Sequence, residues 1–225
     1  MNGKINLFAL DAHPRLCFLL FMLCGALGVF SFAPFELRLL LPLGLAFLFF
    51  HLNRMSPLRG FRSGYAYGLG LMGFGVSWLQ VSLAQFGEVN AVLATLYTLG
   101  FIAFVSLFFG LAGWLIVRLS GRRAVVGLLL VTPAVWVLVE WLRGWFLTGF
   151  PWLVTGYAMI DTPLAGYAPI LGVYGVSWVA ALMAGMLDLM SLGETSNRVL
   201  LAGVAARPSF RGCRWELLAC GVLGW

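Results

Sequence analysis

Charge is what this chain has least of. Only 10% of its 225 residues are charged, against 62% hydrophobic, and mean hydropathy is +0.98. A soluble domain carries about a quarter of its residues as charges, so a solvent-facing globular fold is excluded. The chain has a single lysine, Lys4, and two histidines, His13 and His51. Lysine, histidine and metal chemistry therefore have almost no raw material, and no metal or cofactor is expected. Both histidines lie at the edges of apolar runs, where interfacial polar caps are expected. The four cysteines fall as Cys17 with Cys24 and Cys213 with Cys220. Neither pair has CxxC spacing, so a zinc or redox site is unsupported, and small buried apolar residues are expected instead.

What the chain has is long apolar runs, which predict an all-α polytopic membrane protein of six transmembrane helices plus the start of a seventh. Residues 16–33, LCFLLFMLCGALGVFSFA, exceed the ~7 to 15 residues of a signal h-region and are followed by further spans, so an uncleaved first helix is predicted. Residues 39–52 fall short of the ~20 needed to cross, and must borrow flanking residues or thin the bilayer. Residues 64–83 carry Gly64 and Gly68 in GxxxG spacing, with Gly70, Gly73 and Gly75 beyond. Either a neighbouring helix or a lipid chain can approach such a backbone closely. Residues 91–117 form the fourth span, and 124–142 the fifth, with a kink expected at Pro133. Residues 164–187 form the sixth, where Thr162 caps and Pro163 takes the first helical position. Asp161 reads as a helix-start residue rather than a catalytic acid.

Polar sequence runs from Ser191 to Glu216, and apolar sequence returns at Leu217. Nine residues of helix rise only ~13.5 Å, less than half of a ~30 Å hydrocarbon core. The sequence is therefore expected to be a truncated product, a gene fragment or a split sequence. The predicted organisation is an amino terminus over 1–15, a six-helix domain over 16–190, a basic loop over 191–216 and a partial seventh helix over 217–225.

Fourteen basic residues against eight acidic give a formal charge of +6. With the amino terminus in the cytoplasm, Lys4, Arg15, Arg54, Arg59, Arg62, Arg118, Arg122, Arg123, Arg198, Arg207, Arg211 and Arg214 all fall inside. Only Arg38 and Arg143 fall outside. This asymmetry follows the positive-inside rule, so the basic excess orients the chain and meets anionic lipid, with no need of a nucleic-acid partner.

The longest outer loop, residues 143–163, follows the stretch EWLRGWFLTGFPW at 140–152. Glu140 and Arg143, three apart, share a helix face and are able to pair, which relieves the few kcal/mol that a lone charge at that depth would cost. Trp136, Trp141, Trp145 and Trp152, with Phe146, Phe150 and Tyr157, surround them. Two readings stand: an interfacial aromatic belt, or a vestibule in which Arg143 attracts a phosphate and the rings line an acyl-chain groove. Gly149 and Pro151 break helical continuation and suit a bend or re-entrant loop.

LRGWFLTGFPWL at 142–153, GY at 156–157, PLAGYAPILGV at 163–173, FSFAPF at 30–35 and GFGVSWLQVSLAQFG at 73–87 together resemble the bacterial apolipoprotein N-acyltransferases. The resemblance runs from Leu16 to about Leu187, in the family's order and spacing. It implies a multi-pass enzyme of the bacterial inner membrane, with a cytoplasmic amino terminus. Such an enzyme moves an acyl chain from a phospholipid donor to the α-amino group of an acceptor, the amino-terminal diacylglyceryl-cysteine of a lipoprotein. A single copy is expected. The resemblance further implies a nitrilase-like domain after the seventh helix, with a Glu, Lys and Cys triad that forms a thioester before the amine attacks. Lys4 lies on the predicted inner side and no cysteine matches the nucleophile's position, so no catalytic residue is assigned in these 225 residues. The predicted contribution is lipid binding, with Glu140, Arg143, Phe150, Trp152 and Tyr157 at the outer rim of a cavity open to the bilayer.

Other classes remain on the page. A small transporter or channel calls for mid-span ionisable residues or an internal repeat, of which the sequence offers only Glu140 near a helix end. A lipid-binding module without catalysis, or a nitrilase-domain acyltransferase with another acceptor, is compatible with the membrane half. A membrane protease is disfavoured, since HExxH does not occur and only His13 and His51 could serve a serine.

Overall fold

In the computed structural model, residues 14–120 and 124–193 are described. The expectations for Lys4, His13, Arg122, Arg123, Cys213, Cys220, the basic residues beyond 193 and the partial seventh helix lie outside the described residues. Within them every regular element is helical. The order is α1 (Pro14–Gly28), α2 (Leu40–Leu52), α3 (Pro57–Gly75), α4 (Trp78–Phe86), α5 (Ala91–Leu119), the short α6 (Ala124–Val126), α7 (Thr132–Trp145) and α8 (Ala168–Gly193).

Local chemistry accounts for several of these limits. The Asn90 side chain accepts from Leu93 N at 2.9 Å and starts α5, which then runs through 29 residues. Between α6 and α7 lies one π turn, Gly127–Val131. The distortion expected at Pro133 takes this form, with Thr132 Oγ1 donating to the Gly127 carbonyl at 2.8 Å. Thr162 caps as predicted, its Oγ1 accepting from Leu164 N at 3.3 Å, but it starts a 3-10 turn, Pro163–Tyr167, that leads into α8. Gly172, at φ +66°, interrupts α8 in a conformation that only glycine adopts readily. Asp161 does more than begin a helix: its carboxylate accepts from Arg38 at 3.1 Å, and Arg38 also meets Glu36 at 3.0 Å.

Four stretches, Pro14–Ser31, Ala91–Leu119, Gly127–Thr148 and Pro163–Met190, are long and apolar enough to cross a bilayer. The predicted third span is not one straight helix. It is α3 and α4 together, bent by 50°. With only 13 residues, α2 rises about 20 Å and is shorter than a full crossing, as the sequence indicated.

At the centre, α3 packs between α1 and α5. A Cβ on Gly60 would stand 2.8 Å from the Gly113 carbonyl oxygen, and one on Gly113 would strike the Gly60 carbonyl, so the two backbones touch there. Gly64 and Gly68 sit likewise against Phe109, and Gly70 against Met22 of α1. Helix packing is thus the role of these glycines; at Gly73 nothing stands within 4 Å of a built Cβ. Above this seam Tyr67, Phe109, Trp136 and Phe49 form an aromatic core, with Trp136 5.7 Å from Phe109 and 5.6 Å from Phe49 between ring centroids. His51 is no interfacial cap: it is buried, with Nδ1 2.8 Å from the Phe47 carbonyl and the rings of Phe21, Phe47 and Phe50 about it.

Candidate functional site

Thr132, Trp136, Val139, Glu140 and Arg143 are all buried and recur every three or four residues, so they form one face of α7 turned into the bundle. The charged pair therefore lies inside the protein, with Glu140 3% and Arg143 2% exposed. Burying two charges requires partners, and the sequence suggests that they satisfy each other. The structure departs from that. No ion pair joins them, although their charges interact through space. Each side chain instead grips the chain that follows α7.

The Arg143 guanidinium donates through Nη1 to the carbonyl oxygens of Phe150, at 2.8 Å, and Trp152, at 2.6 Å. Phe150 N donates back to the Arg143 carbonyl at 2.9 Å. Glu140 Oε1 accepts from Thr155 N at 2.8 Å and from Thr155 Oγ1 at 2.7 Å, while Trp136 Nε1 donates to the same hydroxyl at 3.0 Å. Gly156 N donates to Ser177 Oγ of α8 at 2.8 Å. Residues 146–157 are thus sewn to α7 at three points and to α8 at one. Charge-assisted bonds of this kind are worth about 1.5 to 3 kcal/mol each, enough to hold an irregular backbone at membrane depth.

The held backbone is unusual. Leu147, Thr148 and Leu153 have φ of 50°, 76° and 54°, and Gly149 has 82°. For non-glycine residues this left-handed region costs roughly 1 to 2 kcal/mol apiece, so the latch must outweigh it. At Gly149, a Cβ would collide with the Gly144 carbonyl, which is why glycine stands at the sharpest point. Gly75 leaves the room that Leu153 occupies at the end of α3.

The loop carries its rings outward onto α4 and α5. Phe150 stacks on Trp152 at 5.7 Å and meets Phe101 of α5 edge-on at 4.8 Å, and Trp152 lies 5.5 Å from Trp78 of α4. Phe146 contacts Phe108 at 5.8 Å. Phe150 is half-buried, whereas Trp152 and Tyr157 are each 48% exposed. Beneath them a cavity of about 10 Å³ is bounded by Phe109, Trp136, Glu140 and Arg143, room for about one water. Glu140 Oε2 and Arg143 Nη2 make no hydrogen bond within the protein.

Of the five residues named from sequence, then, Phe150, Trp152 and Tyr157 lie on the surface side of the loop and Glu140 and Arg143 lie beneath it. Thr155, Ser177, Trp78 and Phe101 were missed. Thr155 carries the one hydroxyl between Trp152 and Tyr157, a usable signal; Ser177, Trp78 and Phe101 meet the loop only through tertiary structure. No group of three or more His, Cys, Asp or Glu able to hold a metal occurs among the described residues.

Helices long enough to cross a bilayer, and an aromatic loop latched by a buried Glu and Arg, define a polytopic all-α membrane protein with an irregular segment at one end of its bundle. The family model described as the apolipoprotein N-acyltransferase N-terminal domain matches residues 24–186. The chain belongs to that family. Among similar curated proteins, the apolipoprotein N-acyltransferase of Methylococcus capsulatus is 45% identical over 182 residues, covering 80% of this chain and 36% of the relative. Those of Pseudomonas syringae pv. tomato and Vibrio vulnificus are 41% and 34% identical, over 83% and 85% of this chain and 37% and 38% of theirs. The chain spans a little over a third of the length of these relatives.

Proposed function

We propose that this bundle is the lipid-docking part of an enzyme that transfers an acyl chain from a phospholipid to the α-amino group of a lipoprotein's amino-terminal diacylglyceryl-cysteine. The membrane is the bacterial inner membrane, the amino terminus is cytoplasmic, and the 146–157 loop lies on the outer side. The single observation that carries this reading is the latch: two buried charges hold the 146–157 loop so that Phe150 meets Phe101 and Trp152 meets Trp78. Rings arranged so offer an apolar groove to an acyl chain, while Arg143 sets their position from below. Glu140 and Arg143 act here as positioning residues, and no described residue is assigned the bond-making chemistry. Membership of the family supports the reaction class.

The segregation of the described arginines supports the orientation. Gly60 packs against Gly113 and Val117, which brings Arg59, Arg62 and Arg118 to one end of the bundle, whereas Arg38 and Arg143 lie at the other. The test is a chimaera in which this chain replaces the matching segment of the Methylococcus relative. N-acylation of a diacylglyceryl peptide that survives the exchange and falls at least tenfold with Trp152→Ala supports the reading; full activity with Trp152→Ala removes the ring from the dock.

A further inference from the structure

Arg143 and Glu140 each leave one half of a charged group unused by the loop. Arg143 donates to the Phe150 and Trp152 carbonyls through Nη1, and Glu140 takes Thr155 N and Oγ1 on Oε1, whereas Nη2 and Oε2 have no hydrogen-bond partner among the described residues. Buried charged groups are rarely left so, because each unmet donor or acceptor keeps the cost of its lost hydration. The Arg143 Cζ lies 5.5 Å from the centroid of the Phe109 ring, a contact that satisfies no N–H. The cavity of about 10 Å³ that both charged residues border is otherwise walled by Phe108, Phe109 and Ala112 of α5 and by Trp136 and Val139 of α7. Its size suits one water.

The two orphaned atoms also select the guest by chemistry. A chloride would accept from Nη2 but repel the carboxylate, a sodium ion would do the reverse, and a methyl group would leave both unmet. Water donates to one and accepts from the other. We infer that this cavity is a built site for one water, which donates to Glu140 Oε2 and accepts from Arg143 Nη2. The bridge joins two charges whose other halves are held by the loop, and so closes the latch into one hydrogen-bonded circuit from Thr155 to Trp152. The site belongs to α5 and α7 alone, and stands whichever lipid the rings hold.

The experiment has two arms, both on the 225-residue chain. Crystals grown in a lipidic mesophase, at a resolution that shows ordered waters, are expected to place one water within about 2.5 to 3.2 Å of both Oε2 and Nη2. The second arm is Val139→Ile, whose added methylene enters the cavity. A dry cavity filled in this way gains packing, so amide exchange over 146–157 would slow or stay as in the parent. Displacing a bridging water orphans both charges, and exchange is expected to accelerate about tenfold. Made on Arg143→Met, where no bridge can form, the same substitution changes exchange less than about twofold. If Val139→Ile does not fold by circular dichroism, the parent crystals decide alone. A cavity without density in crystals that show other buried waters, a direct contact of Oε2 with Nη2, unchanged or slowed exchange in Val139→Ile, or equal acceleration in both backgrounds overturns the proposal.

Discussion

Arg143 and Phe150 bind each other twice: Phe150 N donates to the Arg143 carbonyl at 2.9 Å, and Arg143 Nη1 donates to the Phe150 carbonyl at 2.8 Å. The same nitrogen also reaches Trp152 O at 2.6 Å. A side chain at the end of a helix thus folds the following segment back over itself. Arg143→Met removes the two guanidinium bonds, keeps the backbone one, and leaves the Glu140 carboxylate buried without its nearby opposite charge, a loss of roughly 3 to 5 kcal/mol. Amide hydrogen exchange over 146–157 is expected to accelerate at least a hundredfold. Arg143→Lys recovers part of the protection, since an ammonium keeps the charge but lacks the planar fork.

Thr155 stands between Trp136 and Glu140, accepting from one and donating to the other. Thr155→Val keeps the shape and removes the hydroxyl, so both neighbours lose a partner in a buried setting. A destabilisation of about 1 to 3 kcal/mol is expected in detergent unfolding, with Thr155→Ser close to the parent. Equal stability of the valine and parent chains would show that the hydroxyl contributes nothing.

Gly113 admits no side chain, because a Cβ there strikes the Gly60 carbonyl. Gly113→Val must push α5 from α3 and lose dispersion contacts along the seam, at a cost of about 3 kcal/mol or more. Gly100, beside which a Cβ meets nothing within 4 Å, is the control: Gly100→Ala is expected to be neutral or slightly stabilising. Thermal unfolding midpoints of the two variants should therefore move apart.

Arg38 joins Glu36 and Asp161 across 123 residues of sequence, but the carboxylates are more than half exposed. Solvent screening leaves such pairs about 0 to 1 kcal/mol. Arg38→Gln is accordingly expected to shift the unfolding midpoint little, and less still at high salt.

Much of this was legible from spacing alone. Apolar run lengths located α1, α2, α5, α7 and α8, and the Gly64 to Gly70 cluster announced the α3 seam. The break after Gly75 was not legible, because GVSWLQ reads as continuous apolar helix and Leu153 reaches the space beside Gly75 only through tertiary structure. At the candidate site, the three-residue spacing of Glu140 and Arg143 correctly put them on one face, yet it suggested a direct pair. Their real partners are backbone groups and the Thr155 hydroxyl, 7 to 15 residues away, which no local spacing rule reveals. The buried setting of His51 escaped for a related reason: three phenylalanine rings, one of them from α1, enclose it.

The account turns on acyl chains lying against the latched rings. Photocrosslinking with a phosphatidylethanolamine that carries a diazirine in its acyl chain, in nanodiscs and followed by peptide mapping, tests this most directly. Adducts should concentrate on Phe150, Trp152, Trp78 and Phe101 and fall at least fivefold in Arg143→Met. Adducts spread evenly over the exposed leucines of α1 and α5, with no change in that variant, would contradict it.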